Sequence, residues 1–259
     1  MRRCQVTEQA AQGRPNSGVQ VIARAAEILR ALQAEPAGLT QAELATRLDL
    51  AKSTTYRLLS ALEQEGLVGT AGSRARYRLG PEIARMAAAV RRSLIGELHP
   101  LLEQLSRAVE ETVDLSVLDG NHLRFIDQVV ADQRLRAVSA VGDTFPLHCT
   151  ANGKAVLASL SPLAVDRLLP QRLVPNTPKT LVTRKQLNNE LANIRETGVA
   201  FDREEHTEGI CAIGVSLGEV AGEVAVISVP MPAARFYGRE DQRVEIIQAV
   251  LAERPPQGC

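Results

Sequence analysis

Five of the six polar residues from Lys52 to Arg57 are candidates for contacts with nucleic acid. Lys52, Ser53, Thr54, Tyr56 and Arg57 carry hydrogen-bond donors and acceptors together with two positive charges. Side chains of these types bind base edges in a DNA groove and the phosphate oxygens beside it. If this stretch is the first turn of an exposed helix, it predicts the reading surface of a recognition helix.

Three arginines extend this chemistry to either side. Arg74 and Arg76 lie in a segment where residues 67–70 and 76–79 alternate like two strands joined by a Gly-containing loop. A basic hairpin of this kind can lie along a phosphate backbone. We therefore predict that Arg24, Arg74 and Arg76 contact phosphates or the minor groove.

These side chains need a framework of two helices, a tight turn and the hairpin. Thr40 can cap the first helix, residues 49–51 make a turn of suitable length, and Gly66 can end the second helix. A further helix over residues 19–33 is predicted to pack beneath them. The expected apolar stripes are Ala42, Leu44, Ala45 and Leu48 in the first helix, and Leu58, Leu59 and Leu62 in the second.

The charge of the chain is divided unevenly. Its formal net charge is zero, yet residues 1–93 contain 14 Lys and Arg against 8 Asp and Glu, which gives +6. Residues 94–259 contain 16 against 22, which gives −6. The basic part is the part with the helix-turn-helix pattern, so an attraction for phosphate would be local.

Composition also limits the type of protein. The first 17 residues are polar, and no apolar run is long enough to cross a bilayer, so we expect a cytoplasmic location. Cys4, Cys149, Cys211 and Cys259 lack the spacing of a disulfide framework or a zinc ribbon. We expect free thiols and no metal or other cofactor.

Residues beyond the hairpin predict a second domain of the α+β class, an antiparallel sheet flanked by helices. We expect a disordered tail over residues 1–17, a winged helix-turn-helix over 18–80, a linker helix over 81–93 and an effector domain over 94–259. A bend near Gly96 and Pro100 would lead into a helix over 95–112. Strands are predicted at 114–118, 123–130, 135–141, 210–217 and 223–229, and helices at 153–159, 162–169, 183–197 and 239–253.

Enzyme-like patterns in this second part are weak. Residues 214–218 spell G-x-S-x-G around Ser216, but a strand follows instead of a helix, and no histidine occurs after His206. Residues 152–155 lack the first glycine and the Ser or Thr of a phosphate-binding loop. His148 with Cys149, and His206 with Cys211, do not have the usual spacing of a zinc site. We expect no catalytic residues.

Two polar loops suit a small molecule better. Residues 148–153 lead into a helix, whose first N–H groups can bind a carboxylate. Residues 202–208, DREEHTE, lie between a helix and a strand, where either ligand binding or simple solvation would explain their polarity.

Three segments together resemble the isocitrate-lyase-regulator (IclR) family of bacterial transcription factors. They are residues 39–79, the segment FPLHCTANGKAVLASL at 145–160, and the segment GVAFDREEHTEGICAIGVSL at 198–217. The resemblance covers residues 19–251 and keeps the family's order and spacing. It implies a winged helix-turn-helix, a linker helix and a GAF-like effector domain, in dimers or tetramers that bind palindromic operators near catabolic or transport operons.

The resemblance also implies an effector site for a small metabolite such as an organic acid. Its residues would be Thr150, Ala151 and Asn152 at a helix N-terminus, with Asp202 and Ser228. The family often has a cysteine where Ala212 aligns, and Cys211 lies one position earlier, so both are included as candidates. Because strand side chains alternate, the shift by one position would turn Cys211 away from the pocket. Pro230 replaces a serine of some members.

The sequence thus predicts a non-enzymatic regulator, a repressor or an activator, in which an effector changes the spacing of paired DNA-binding domains through the linker helix. Two alternatives stay open. An enzyme with a DNA-binding appendage would depend on Ser216, and an interaction module built on a winged helix would show no salt-dependent DNA binding.

Overall fold

The computed structural model describes residues 17–71 and 76–253, which fall into two compact units divided between Ala89 and Val90. The disordered tail predicted for residues 1–17 lies outside the described residues up to position 16, and the first helix begins at Ser17. The first unit contains α1 (Ser17–Gln33), α2 (Gln41–Arg47), α3 (Lys52–Gln64), β1 (Val68–Ala71) and β2 (Arg76–Leu79).

The first unit has the predicted helix-turn-helix and hairpin. Thr40 caps α2 through a capping box with Glu43: its hydroxyl accepts from the Glu43 N–H, and the Glu43 carboxylate accepts from the Thr40 N–H at 2.7 Å. Leu44, Leu58 and Leu59 are buried with Ile28 of α1. Ala42 is exposed, so its predicted place in the apolar stripe was wrong.

The turn between α2 and α3 is fixed by hydrogen bonds at both ends. Asp49 adopts a positive φ of 51°, and the Leu50 N–H donates to the Ala45 carbonyl at 2.9 Å. The Gln41 side chain donates to the Lys52 carbonyl at 2.9 Å, which ties the start of α2 to the start of α3. The first turn of α3 is therefore held in one orientation relative to α2.

One long helix, α4 (Pro81–Val109), replaces the linker helix and the second helix that the sequence predicted as separate elements. The helix runs unbroken through Gly96 and Pro100, although proline removes one backbone hydrogen bond. The reason is packing: Leu94, Leu98, Leu102, Leu105 and Val109 recur at helical spacing and are all buried. Their burial outweighs the local cost of the proline.

The second unit is built on a six-stranded antiparallel sheet with the strand order β5-β4-β3-β8-β7-β6. α4 and the last helix pack with one face of the sheet, and the three helices between β5 and β6 pack with the other. The strands are β3 (Val113–Asp119), β4 (His122–Val129), β5 (Thr144–Pro146), β6 (Ala200–Arg203), β7 (Ile210–Val220) and β8 (Glu223–Pro232). The helices are α5 (Ala151–Ser159), α6 (Pro162–Leu168), α7 (Arg184–Thr197), α8 (Ala233–Phe236) and α9 (Glu240–Ala252).

The strand predicted over residues 135–141 was wrong. This segment is irregular, and its large apolar residues Leu135, Val138 and Val141 are exposed rather than half-buried in a sheet. The edge strand is β5 instead, which pairs with the start of β4. β6 and α8, which have four residues each, were not predicted.

Candidate functional site

The exposed side of the first turns of α3 carries the residues predicted to contact DNA. Lys52, Ser53, Tyr56 and Arg57 are exposed, with the residue Tyr56 58% accessible, and Thr54 is half-buried. Thr55 is buried between them, and its hydroxyl donates to the Ala51 carbonyl. Helical spacing thus separates one polar, cationic face from the face that packs in the core.

The predicted basic contacts outside α3 have different surroundings. The Arg76 guanidinium donates to the Gly38 carbonyl at 2.9 Å and forms an ion pair with Glu43 at 3.4 Å, so it already supports the fold. Arg24 is half-buried on α1. Arg74 lies outside the described residues. The described chain therefore brings the five polar residues of α3 together. Arg76 has a structural role of its own, whether or not it also contacts phosphate.

A cavity of about 290 Å³ lies on one face of the large sheet in the second unit. Six of the seven residues predicted for the effector site line it. They come from the N-terminus of α5 and from three strands: Thr150, Ala151, Asn152, Asp202, Ala212 and Ser228.

The remaining predicted residue, Cys211, does not line the cavity. It is fully buried in the core on the opposite face of β7, where it pairs with Met231 and lies with Ile213. Successive side chains of a strand point to opposite faces, so Ala212 and Cys211 cannot both reach the ligand. Including Cys211 among the effector-binding residues was therefore an error.

Asp114 was not predicted, although it lines the cavity near its β3 edge. Its carboxylate accepts hydrogen bonds from the Gln128 side chain at 2.5 Å and the Ser139 hydroxyl at 3.1 Å. Burial raises the pKa of Asp114 to about 6. The signal was present in the sequence: in residues 114–117 polar and apolar residues alternate, which places Asp114 and Ser116 on the face opposite Leu115 and Val117.

Asp202 lies on β6, at the other side of the cavity. Its Oδ1 accepts from the backbone N–H of Glu205 at 2.7 Å and of His206 at 3.4 Å, while Oδ2 has no partner among the described residues. Burial raises the pKa of Asp202 to about 7. One oxygen of the carboxyl group thus stabilises the turn after β6, and the other is available to a ligand in the cavity.

An aromatic wall closes the same cavity. Phe145 stacks on the His206 ring with the centroids 4.4 Å apart, and meets Phe125 edge-on at 4.8 Å. Burial, with a smaller effect of His148, lowers the pKa of His206, so the imidazole is neutral near pH 7. Residues 137–139 of the irregular segment complete the lining with small and apolar side chains.

The N-terminus of α5 is pressed closely against the sheet. Thr150 caps the helix by accepting from the Gly153 N–H, and the Asn152 side chain donates to the Ser116 hydroxyl at 3.0 Å. A Cβ atom at Gly214 would lie only 2.5 Å from the Ala151 carbonyl carbon. This glycine, the first of the G-x-S-x-G pattern, therefore serves close packing between α5 and β7.

A buried ion pair supports the turn that carries Asp202. Lys154 of α5 is fully buried; its ammonium group binds the Glu205 carboxylate and lies 3.6 Å from Glu190. Thr177 and Thr180 donate to the backbone carbonyl of Glu205. The chain from α5 to Glu205 fixes the position of the turn and so of Asp202.

The remaining enzyme and metal patterns have structural surroundings. Ser216 lies within β7, and its hydroxyl accepts from the Gly218 N–H. In the described residues there is no cluster of three or more His, Cys, Asp or Glu that could hold a metal ion. Burial raises the pKa of Cys149 to about 12 and of Cys211 to about 11, so both remain thiols. No helix of the described chain has the length and hydropathy to span a membrane.

A winged helix-turn-helix followed by a domain with a small-molecule cavity is the architecture of a transcriptional regulator. Residues 21–72 match the model of the IclR helix-turn-helix domain, and residues 86–253 match that of the bacterial transcriptional regulator IclR C-terminal domain. The chain belongs to the IclR family.

Known proteins agree with this assignment. The chain is 57% identical over 237 residues to the HTH-type transcriptional regulator Rv1719 of Mycobacterium tuberculosis, covering 92% of this chain and 90% of that protein. It resembles the crystal structure of the Thermotoga maritima IclR protein at 30% identity and a TM-score of 0.57, over 91% of this chain and 95% of the other.

An IclR homolog from Microbacterium hydrocarbonoxydans, solved in complex with 4-hydroxybenzoate, has a TM-score of 0.58 at 21% identity. It covers 90% of this chain and 96% of that one, and the likeness shows the fold alone. Because the relatives are named as transcriptional regulators, the protein is a DNA-binding regulator rather than an enzyme.

Proposed function

We propose that the protein is a ligand-responsive regulator of a catabolic or transport operon, acting in the cytoplasm as a homodimer or a dimer of dimers on a palindromic operator. The observation that carries this proposal is the cavity of about 290 Å³ lined by six of the residues that the family resemblance assigns to effector binding. The neighbour solved with 4-hydroxybenzoate supports a small molecule as the occupant. A cavity of this size suits a small organic ligand.

The DNA contacts proposed for α3 follow from exposure and charge. Lys52 and Ser53 sit at the start of the helix, and Tyr56 and Arg57 lie one turn further on the same exposed face, with Thr54 beside them. In a helix-turn-helix the N-terminal turns of the second helix enter the major groove. Arg24, Arg74 and Arg76 are proposed to contact phosphates, Arg76 while it also holds Gly38 and Glu43.

Helix α4 offers a route by which an effector would influence DNA binding. Its residues from Leu94 to Val109 pack in the core with β3, the strand that carries Asp114 into the cavity. The same helix begins in the first unit at Pro81, in the region proposed as the linker over 81–93. A ligand that shifts β3 would move this helix and so alter how two DNA-binding units fit the half-sites of an operator.

The decisive experiment is a titration of the full chain with operator DNA at several effector concentrations. Coupling between two sites is reciprocal, so an effector that weakens DNA binding must itself bind more weakly to the DNA-bound protein, by the same factor. Independent affinities for effector and operator would contradict the proposal.

Arg57→Ala separates the two activities. We expect it to weaken operator binding by about 1–3 kcal/mol while the effector affinity of the second unit is unchanged, because Arg57 lies only on the α3 surface. Arg107→Ala is a matched control, since Arg107 is a similarly exposed arginine on α4 in the second unit. Equal loss of DNA binding in both variants would point to non-specific charge rather than to base reading.

A further inference from the structure

The charges that line the cavity have one sign. Asp114 and Asp202 both line it, whereas no Lys or Arg does among the described residues. Asp114 lies on β3 and Asp202 on β6, with β8 and β7 between them, so they are three strand spacings apart. At a spacing of ~4.8 Å this is ~14 Å across the sheet, with Ser228, Pro230 and Ala212 between the two carboxyls on the same face.

The carboxyl groups differ in what they still offer a ligand. Both oxygens of Asp114 are engaged, one by Gln128 and the other by Ser139. On Asp202 only Oδ1 is engaged, so Oδ2 is an acceptor without a protein partner in the described chain. A carboxyl group that is 95% buried gains most from a ligand that donates a hydrogen bond or carries a positive charge, because either one compensates for its lost hydration.

Nearby groups do not supply a compensating cation for an anionic ligand. Burial keeps the pKa of His206 below its usual value, so the imidazole in the aromatic wall is neutral. The positive charge of Lys154 acts on Asp202 and slightly offsets the rise in its pKa that burial causes. However, the ammonium group is paired with Glu205 and lies close to Glu190, so two carboxylates already share this one cation. Around Asp202 the balance therefore stays negative.

One feature favours an anion, the N-terminus of α5 at Ala151 and Asn152. A helix N-terminus carries about half a positive charge, and salt or neighbouring charge reduces its effect. Above the raised pKa values of Asp114 and Asp202, two ionised carboxylates outweigh it. The apolar part of the cavity, formed by Phe125, Phe145 and Val138, can pack against the apolar part of a ligand and does not discriminate between positively and negatively charged ligands.

We propose that the cavity selects a neutral or cationic small molecule that donates an N–H or O–H hydrogen bond to Asp202 and packs an apolar, flat body against Phe145 and His206, and that it rejects carboxylates. This inference rests on the proposed function only in taking this cavity as the effector site. It replaces the organic acid that the family resemblance led us to expect.

The test uses three planar molecules of nearly equal shape and different charge: benzoate, benzamide and benzamidine, and the same three with a 4-hydroxyl group. Affinities for the full chain are measured by calorimetry and thermal shift at pH 8, above the raised pKa of Asp114 and of Asp202. We expect the amide and the amidine to bind about tenfold or more tightly than the carboxylate, the difference made by one charge-assisted hydrogen bond.

Asp202→Asn identifies the residue responsible. The asparagine keeps an oxygen that can accept from the Glu205 N–H, so the turn is retained, while the negative charge is lost. We expect the preference for the amidine over the carboxylate to fall by about tenfold or more. Asp166→Asn is the matched control, because Asp166 is an exposed carboxylate on α6 paired with Arg184, away from the cavity lining; it should leave the ranking unchanged.

Three results would overturn the inference: benzoate binding as tightly as the amide or the amidine, no binding by any of the six molecules, or a ranking that Asp202→Asn does not alter. If Asp202→Asn does not fold, the ranking in the unmodified chain still decides. Operator binding is measured in parallel on the same protein. If the ligands bind in the expected order of affinity but none of them changes operator binding, the proposed regulation is wrong, whereas the inferred class of ligand is still supported.

Discussion

Replacing Gly214 by Ala tests whether the close contact between β7 and α5 builds the effector cavity. The added Cβ would lie 2.5 Å from the Ala151 carbonyl carbon, 2.6 Å from its oxygen and 2.7 Å from the Asn152 nitrogen. All three are backbone atoms, so no rotamer change relieves the overlap. Ordinary carbon contacts are about 3.5–4.0 Å, so the first turn of α5 must move by roughly 1 Å.

The cost of such overpacking is about 1–3 kcal/mol. For a unit of this size that corresponds to a fall in melting temperature of roughly 2–4 °C for each kcal/mol. The same shift would move Ala151 and Asn152 away from Asp202, and effector affinity should fall with stability. Binding of operator DNA in the absence of effector should persist, because the residues on α3 are untouched.

Gly96→Ala is the control within the same unit. Gly96 lies inside α4, and a Cβ atom there meets nothing within 4 Å. Since alanine is the better helix former, we expect this variant to be more stable by about 0.5–1 kcal/mol. Thermal melts followed by circular dichroism compare the two. If the Gly214→Ala protein melts at the same temperature as the unmodified chain, the idea that this contact sets the position of α5 is refuted.

Three further predictions follow from buried or capping groups. Burial raises the pKa of Asp114 to about 6 and of Asp202 to about 7, so the folded protein keeps protons that the unfolded chain releases near pH 4. That stabilisation is complete below about pH 4 and is lost as the pH rises through 6 and 7. In thermal melts from pH 5 to 8, the melting temperature should therefore fall less steeply with pH in the double variant Asp114→Asn, Asp202→Asn than in the unmodified chain. Glu111→Gln should cost about 3 kcal/mol in urea unfolding, because it removes the negative charge and one of the two oxygens that accept from Arg235 at 2.6 and 2.7 Å, at a residue only 1% exposed; a cost below about 1 kcal/mol would contradict a buried pair. Thr40→Ala should destabilise the first unit by about 1 kcal/mol in the same assay, with Thr46→Ala, an exposed threonine on the same helix, as a control that changes little.

The sequence predicted the first unit well because its signals are local. Thr40 with Glu43 and the leucines of α3 act within one or two turns, and the structure confirms them. The errors arose where tertiary packing decides. Gly96 and Pro100 were expected to bend the connection between two separate helices, but the buried stripe that includes Leu98 and Leu102 belongs to one continuous α4. Residues 135–141 were predicted as a strand, yet they form an irregular segment, part of which lines the cavity.

For the cavity, the family resemblance indicated which residues line it, whereas the alternation of side chains along each strand decides which of them lie on the cavity face of the sheet. Alternation on β7 separates Ala212 from Cys211, and alternation on β3 brings Asp114 to the face shared with Ser228, its cross-strand neighbour. Neither the net charge nor a motif indicates that two carboxyls meet one cavity, because they are 88 positions apart in the chain. Only the strand order β3-β8-β7-β6 brings them to the same face of the sheet, in cross-strand rows two residues apart. The charge of the accepted ligand is therefore a property of the sheet topology, and a relative that keeps the residues of α5 but changes either aspartate should respond to a different class of molecule.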